Sequence, residues 1–232
     1  MRNGVKFNNY HSLDDLGLIF NTKVISEPVA QTKLVKIPSR NGALDLSEVL
    51  SGSVRYNNRT ITMRFTITDN VNNWESIRQE IASKLHGERM QIVFDDDEAF
   101  YWLGRVEVGD LKPSKSCAEI TIKANVEPYK YNITTSIEDW LWNPFDFENG
   151  VINELYGLTV DGSLEVKVIG LERWENPIII CSEPMTVDYK GNTYHLKAGS
   201  QVLYEIIIEE GENILTFHGN GTVSVNYRGG SL

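Results

Sequence analysis

ITMRFTIT, residues 61–68, alternates without a break: Ile61, Met63, Phe65 and Ile67 fall on one side of an extended chain, Thr62, Arg64, Thr66 and Thr68 on the other. Successive side chains of a strand point to opposite faces, so this stretch predicts a strand with one dry face and one wet face. The same period returns at Ala118, Ile120, Ile122, Ala124 and Val126, interleaved with Glu119, Thr121, Lys123 and Asn125. Between the two lies MQIVFDDDEAFYWLGRVEV, residues 90–108, whose apolar runs flank an acidic turn and predict a hairpin.

One segment departs from the period of two. In VNNWESIRQEIASKLHG, residues 71–87, Trp74, Ile77, Ile81 and Leu85 recur at intervals of three and four, which predicts a helix with one apolar stripe. Asn72 or Asn73 is the expected N-cap, Glu75 sits in the first turn where the helix dipole favours an acid, and Lys84 and His86 precede a terminating Gly87. Past residue 131 the helical period disappears. SLEVKVIGL, NPIIICS, MTVDYKG, NTYHLKAG, QVLYEIIIEEGEN, ILTFHGNG and TVSVNYRGG read as strands, with GN, AGS, EGEN and GNG as turns, and predict an antiparallel β-sandwich.

The 232 residues suit two domains, and charge places the boundary. Residues 1–131 carry 17 Lys+Arg and 17 Asp+Glu, leaving 5 and 15 for the remainder, so the whole net charge of -10 belongs to the C-terminal part. The expected domains are 1–131 and 132–232, joined by EPYKYNITTSIEDWLWNPFDFENG, residues 127–150, a structured crossover poor in Gly and Ser. An acidic half lacks the clustered Lys and Arg that bind nucleic acid or anionic membranes. No apolar run approaches the roughly 20 residues of a membrane span, and the N-terminal MRNGVKFNNYHSLDDLGL lacks the apolar core of a secretory signal. Synthesis in the cytosol is expected, with neither nucleic acid nor membrane as partner.

Chemistry is sparse. Cys117 and Cys181 are two distant thiols, His11, His86, His195 and His218 share no metal-ligand spacing, and no GxSxG surrounds a serine. Asp95, Asp96, Asp97 and Glu98 lack the alternate ligand positions and central Gly of a calcium loop and read as a solvated turn. GNGTVS, residues 219–224, approaches a glycine-rich dinucleotide loop, but Val223, Val225 and Tyr227 continue it as a strand where phosphate binding needs a helix N-terminus. Asn58, Asn132 and Asn220 begin chance N-x-[ST] triplets. No catalytic residue, metal or cofactor is expected. Trp140, Trp142 and Trp174, with Phe145 and Phe147, have two readings: packing at a domain seam, or stacking platforms for sugar rings in a carbohydrate-binding protein that recognises host cell-surface glycans.

In order along the chain, IPSRNGALDLSE (37–48), VRYNNRTITMRFTIT (54–68), the single helix, FDDDEAFYWLGRV (94–106) and NVEPYKY (125–131) resemble the N-terminal domain of the distal tail (Dit) proteins of siphophages. GENILTFHGNGTVSVNYRGGSL, residues 211–232, is similar to the close of their C-terminal galectin-like domain. The resemblance implies a virion structural protein with no catalytic role, synthesised in the bacterial host cytoplasm. It implies a ring, usually a hexamer, at the distal end of the tail, joining the tail-tube protein to the tail hub or lysin, with the C-terminal sandwiches docking receptor-binding or baseplate proteins. Longer family members carry inserted carbohydrate-binding modules, for which this chain leaves no room.

Within that resemblance, residues 37–56 are the expected arm that reaches a neighbouring subunit. Ile37, Leu44, Leu46, Val49 and Leu50 are too apolar for a free loop, while Pro38 and Gly42 prevent a continuous helix. Arg40, Asp45 and Glu48 would set register at the rim. Two outcomes stay open for these side chains: contact with a rotated copy of the chain, or folding back on their own domain.

Overall fold

The computed structural model describes residues 3–49, 52–68, 73–137 and 155–232. They form two compact units, Met1–Asp97 with Trp102–Pro128, and Glu98–Tyr101 with Tyr129–Leu232. The protein is mainly antiparallel β-sheet with one helix among the described residues.

The first unit contains β1 (Val5–Phe7), β2 (Tyr10–His11), β3 (Ile19–Ile25), β4 (Leu34–Lys36), β5 (Ala43–Asp45), β6 (Arg59–Ile67), α1 (Trp74–Leu85), β7 (Arg89–Phe94), most of β8 (Phe100–Pro113) and β9 (Ala118–Val126). Its main sheet runs β2-β1-β7-β8-β9-β6-β3. β6 and β9 pair from Arg59↔Val126 to Ile67↔Ala118, and both bury every second residue, as their period requires. The predicted hairpin is β7 and β8, paired from Arg89↔Arg105 to Ile92↔Trp102. Although three strands separate β3 from β7 in the sheet order, Phe20 of β3 lies 6.1 Å from Phe94 of β7 and 5.5 Å from Phe65. The sheet therefore curls on itself and encloses its own apolar face. Arg59, buried at the start of β6, lies over the Trp102 ring at 4.2 Å.

Helix α1 covers part of that face with Trp74, Ile81 and Leu85 buried and Ile77 packed beside them. Its exposed side carries Glu75–Arg78 and Glu80–Lys84 ion pairs at helical spacing. Asn73 is the N-cap but makes no side-chain capping bond. Gly87, at φ +81, ends the helix and donates its N–H to the Val106 carbonyl, 2.8 Å away.

The second unit contains β10 (Lys130–Asn132), β11 (Leu158–Gly170), β12 (Ile178–Cys181), β13 (Met185–Tyr189), β14 (Asn192–Leu196), β15 (Gly199–Val202), β16 (Gly211–Asn226) and β17 (Gly230–Ser231). Strand β16 is its axis. One edge pairs with β11 throughout, from Leu158↔Val223 to Gly170↔Gly211. The other edge pairs first with β13 through residues 216–218 and then with β12 through residues 223–226. The change of partner falls on Gly219-Asn220-Gly221, expected as a turn and found inside the strand. Gly219 and Gly221 adopt φ +145 and +139, and a Cβ on them would lie 2.9 Å from the Met185 Cβ and 2.6 Å from the Ser182 Oγ. Only glycine lets the strand cross there.

A second expectation also changes. QVLYEIIIEEGEN does not continue as one strand, because the Asn176 side-chain amide donates to the carbonyls of Leu203, Tyr204 and Ile206 and folds this stretch off the edge of β15.

Phe65 is fully buried against Phe7 and Phe20, so Phe65→Ala is expected to cost about 3–5 kcal/mol, measured by urea unfolding. Gly104→Ala should cost about 1–3 kcal/mol in the same assay, since its Cβ would fall 2.3 Å from the Asn125 carbonyl oxygen.

Candidate assembly interface

Between β3 and β6 the chain makes a long excursion. It leaves the sheet as a continuation of the β3–β6 ladder: Ser26 N–H donates to the Thr60 carbonyl, Asn57 N–H to that of Val29 and Gln31 N–H to that of Arg55. Beyond a bridge between Ala30 and Tyr56, it narrows to the two-stranded ribbon of β4 and β5, paired Leu34↔Asp45, Val35↔Leu44 and Lys36↔Ala43. Ser39 at φ +66 and Gly42 at φ +78 turn its end. The Asp45 carboxylate accepts the Ser47 hydroxyl and backbone N–H, which hold its pKa below the ordinary value.

None of the described residues from 26 to 58 is buried. Val29 is 67% exposed, Leu34 60%, Ile37 40% and Val49 68%. An isolated two-stranded hairpin is marginal in water, and every ordered residue costs about 1–2 kcal/mol of backbone entropy. A covering surface would offset that cost.

Of the side chains expected to form the arm, Ile37, Arg40 and Val49 are exposed, Leu44 and Leu46 are half-buried, and Leu50 lies outside the described residues. Sequence reading started the arm at residue 37 and left out Val29, Leu34 and Val35; these, and Val54 within the expected arm, are exposed. The signal was the apolar residues of KLVKIP, residues 33–38, a run too short to separate from an ordinary loop.

Trp140 and Trp142 lie outside the described residues. Trp174 is half-buried in the second unit, between Arg173 and Glu175, which pair with each other. Desolvation raises the Glu175 pKa, with Arg173 opposing. Nearby is an aromatic set that sequence reading did not single out. Tyr101 and Tyr131 stack at 5.4 Å, Arg173 lies 5.0 Å over Tyr131, Arg228 lies 5.6 Å over Tyr101, and Lys130 lies 4.0 Å over Phe100. The Arg228 guanidinium also donates to the carbonyls of Asn132 and Ile133.

The acidic turn is only partly solvated. Asp95 meets the His11 Nε2 at 3.2 Å and Asp96 meets the Lys23 Nζ at 2.6 Å. Among the described residues no three His, Cys, Asp or Glu side chains are grouped as metal ligands. His218 contacts Asp188 at 2.9 Å, and Asp188 also accepts from the Thr193 hydroxyl.

Comparison with known proteins agrees with this architecture. The family profile described as a phage tail protein RIFT-related domain matches residues 10–134. Among solved structures, the chain is similar to the Dit protein (gp 19.1) of phage SPP1, described as a paradigm of the hub adsorption apparatus of phages infecting Gram-positive bacteria. That likeness has a TM-score of 0.63 and 13% identity, and covers 97% of this chain and 98% of the other. No curated protein matches the chain.

Two outcomes are expected from the second unit. Arg228→Ala should lower stability by about 2 kcal/mol in urea unfolding, because two carbonyls lose a charged donor. The Thr193 hydroxyl, and secondly His218, hold the Asp188 carboxyl below its ordinary value of 3.8. A lowered acid stabilises the fold above its unfolded pKa and loses that contribution as pH falls through its folded pKa. Stability measured from neutral pH down to strongly acidic pH should therefore fall less steeply below 3.8 in Asp188→Asn than in the parent.

Proposed function

We propose that this chain, which belongs to the phage tail protein family with the RIFT-related domain, is a structural component of the tail tip that assembles into a closed ring, a hexamer, at the distal end of the tail. In this reading residues 1–131 build the ring, joined above to the tail-tube protein and below to the tail hub or lysin. Residues 132–232, taken as a galectin-like sandwich, dock receptor-binding or baseplate proteins. The role is architectural, and the place of action is the virion.

The observation that carries the ring is the hairpin of residues 26–58, in which no described side chain is buried while Val29, Leu34, Ile37 and Val49 are exposed. A second copy of the chain supplies the missing cover. Contact between a hairpin on one copy and a different surface on the next is heterologous, and such contacts generate a ring when the rotation closes. The surplus of 15 acids over 5 basic residues in 132–232 fits an outward position, since like charges on adjacent copies are screened over about 8 Å of saline. A basic face is the matching expectation for the protein that docks there.

Mass photometry of the purified full chain should show a closed oligomer of six copies. Replacing residues 29–56 by a short Gly-Ser turn should yield monomers whose melting midpoint shifts by no more than a few degrees, because no described residue of the segment contributes to the core. Monomers from the intact chain, even with the adjacent tail proteins present, would overturn the ring.

A further inference from the structure

The hairpin has a sign. Its outer part carries Lys33, Lys36 and Arg40, all exposed and none in an ion pair among the described residues. The acids alongside them are Asp45, taken up by Ser47, and Glu48, which is exposed, so the cations outnumber the acids by three to two. Leu34 and Ile37, beside these cations, are 60% and 40% exposed. The hairpin therefore offers a basic, apolar end.

The same unit carries a surface of the opposite sign. Asp14 and Asp15 lie in the loop after β2, and Asp95, Asp96 and Asp97 in the turn between β7 and β8. His11 joins the two segments, with its Nε2 3.2 Å from Asp95 and its Nδ1 3.4 Å from Asp14. Among the described residues, the cations beside these carboxylates include Lys23, which bonds both Asp96 oxygens, Lys84, which lies over the Tyr10 ring and whose pKa is raised chiefly by Glu80, and exposed Lys6 of β1, opposite His11 and Val93. The side chain of Asp14 is 46% exposed and that of Asp96 55%. Tyr10 and Leu13, 36% and 41% exposed, place apolar area among the acids.

We infer that the basic end of the hairpin of one copy docks on this acidic surface of the next copy. The inference rests on the ring reading above and names the receiving face. Reach is what assigns the contact to a neighbour. Lys23, bonded to the acidic turn, lies two residues before the end of β3, where the hairpin leaves the sheet, whereas Lys36 ends β4. At about 3.3 Å per residue, the eleven residues from 26 to 36 span up to about 35 Å. The acidic surface thus sits by the base of the hairpin and the cations at its far end, and a second copy brings the two together. Every copy then presents one donor and one acceptor, the requirement for a head-to-tail ring. Charge complementarity fixes the register, while Leu34 and Ile37 meet Tyr10 and Leu13.

The test is a charge swap in the full-length protein. One variant is Lys33→Glu, Lys36→Glu, Arg40→Glu; the other is Asp14→Lys, Asp97→Lys. Each alone should raise the concentration needed for ring formation at least about tenfold, as read by mass photometry at low salt. An equimolar mixture should regain rings of alternating variants, because each acidic hairpin then meets a basic face and each basic hairpin an acidic one. Misfolded variants would not recover on mixing. Parent rings that survive the hairpin reversal, or variants that fail to recover together while each retains the parent's circular dichroism spectrum, would overturn this contact and leave the ring standing. Failure of the parent to form rings at all would overturn both.

Discussion

A sheet that buries one face needs something to lay against it, and the described residues of the first unit offer a single twelve-residue helix for a long sheet. The curl of the sheet resolves the shortage. Bending brings β3 round toward β7, so Phe7, Phe20, Phe65 and Phe94 pack together and the apolar sides of β6 and β9 are sealed. At about 25 cal/mol for each square ångström of apolar surface removed from water, this enclosure is the dominant favourable term available to the unit. The long β6–β9 pairing, the helix cover and the latch from Lys23 to Asp96 all depend on it.

Enclosure also explains what is left outside. Once the inner face is full, apolar residues elsewhere have no place in that core, and the hairpin between β3 and β6 collects several of them in the open. A protein that works alone gains little by ordering such a segment. One that works as a ring gains a connector, already shaped by its own ladder of hydrogen bonds, so less entropy is lost when a neighbour covers it. In the ring proposed above, hairpin and acidic loop are two halves of one device carried on every copy.

The second unit meets a different constraint. Its axis β16 must serve β13 and β12 on one edge, and two residues without side chains let the backbone pass Met185 and Ser182. Around the C-terminal turn, Arg228 caps two carbonyls and lies over Tyr101, while Gly229 leaves space for Leu171. These contacts are dense and specific.

By itself the amino-acid sequence determined which side of each long strand is dry, where the helix lies and stops, and that charge is unevenly shared along the chain. Those features are local: a period of two or of 3.6, a Gly at φ +81 and a count of acids can all be read within a few residues. Tertiary structure alone decided that GNG is a strand crossing and not a turn, that Asn176 draws residues 203–206 off the edge of β15, and that Tyr101 stacks on Tyr131. It also decided that the hairpin begins well before Ile37 and that none of its described residues is buried. Each of these depends on a partner distant in sequence. No local period carries such information, because it arises only when chain closure brings those partners within contact distance.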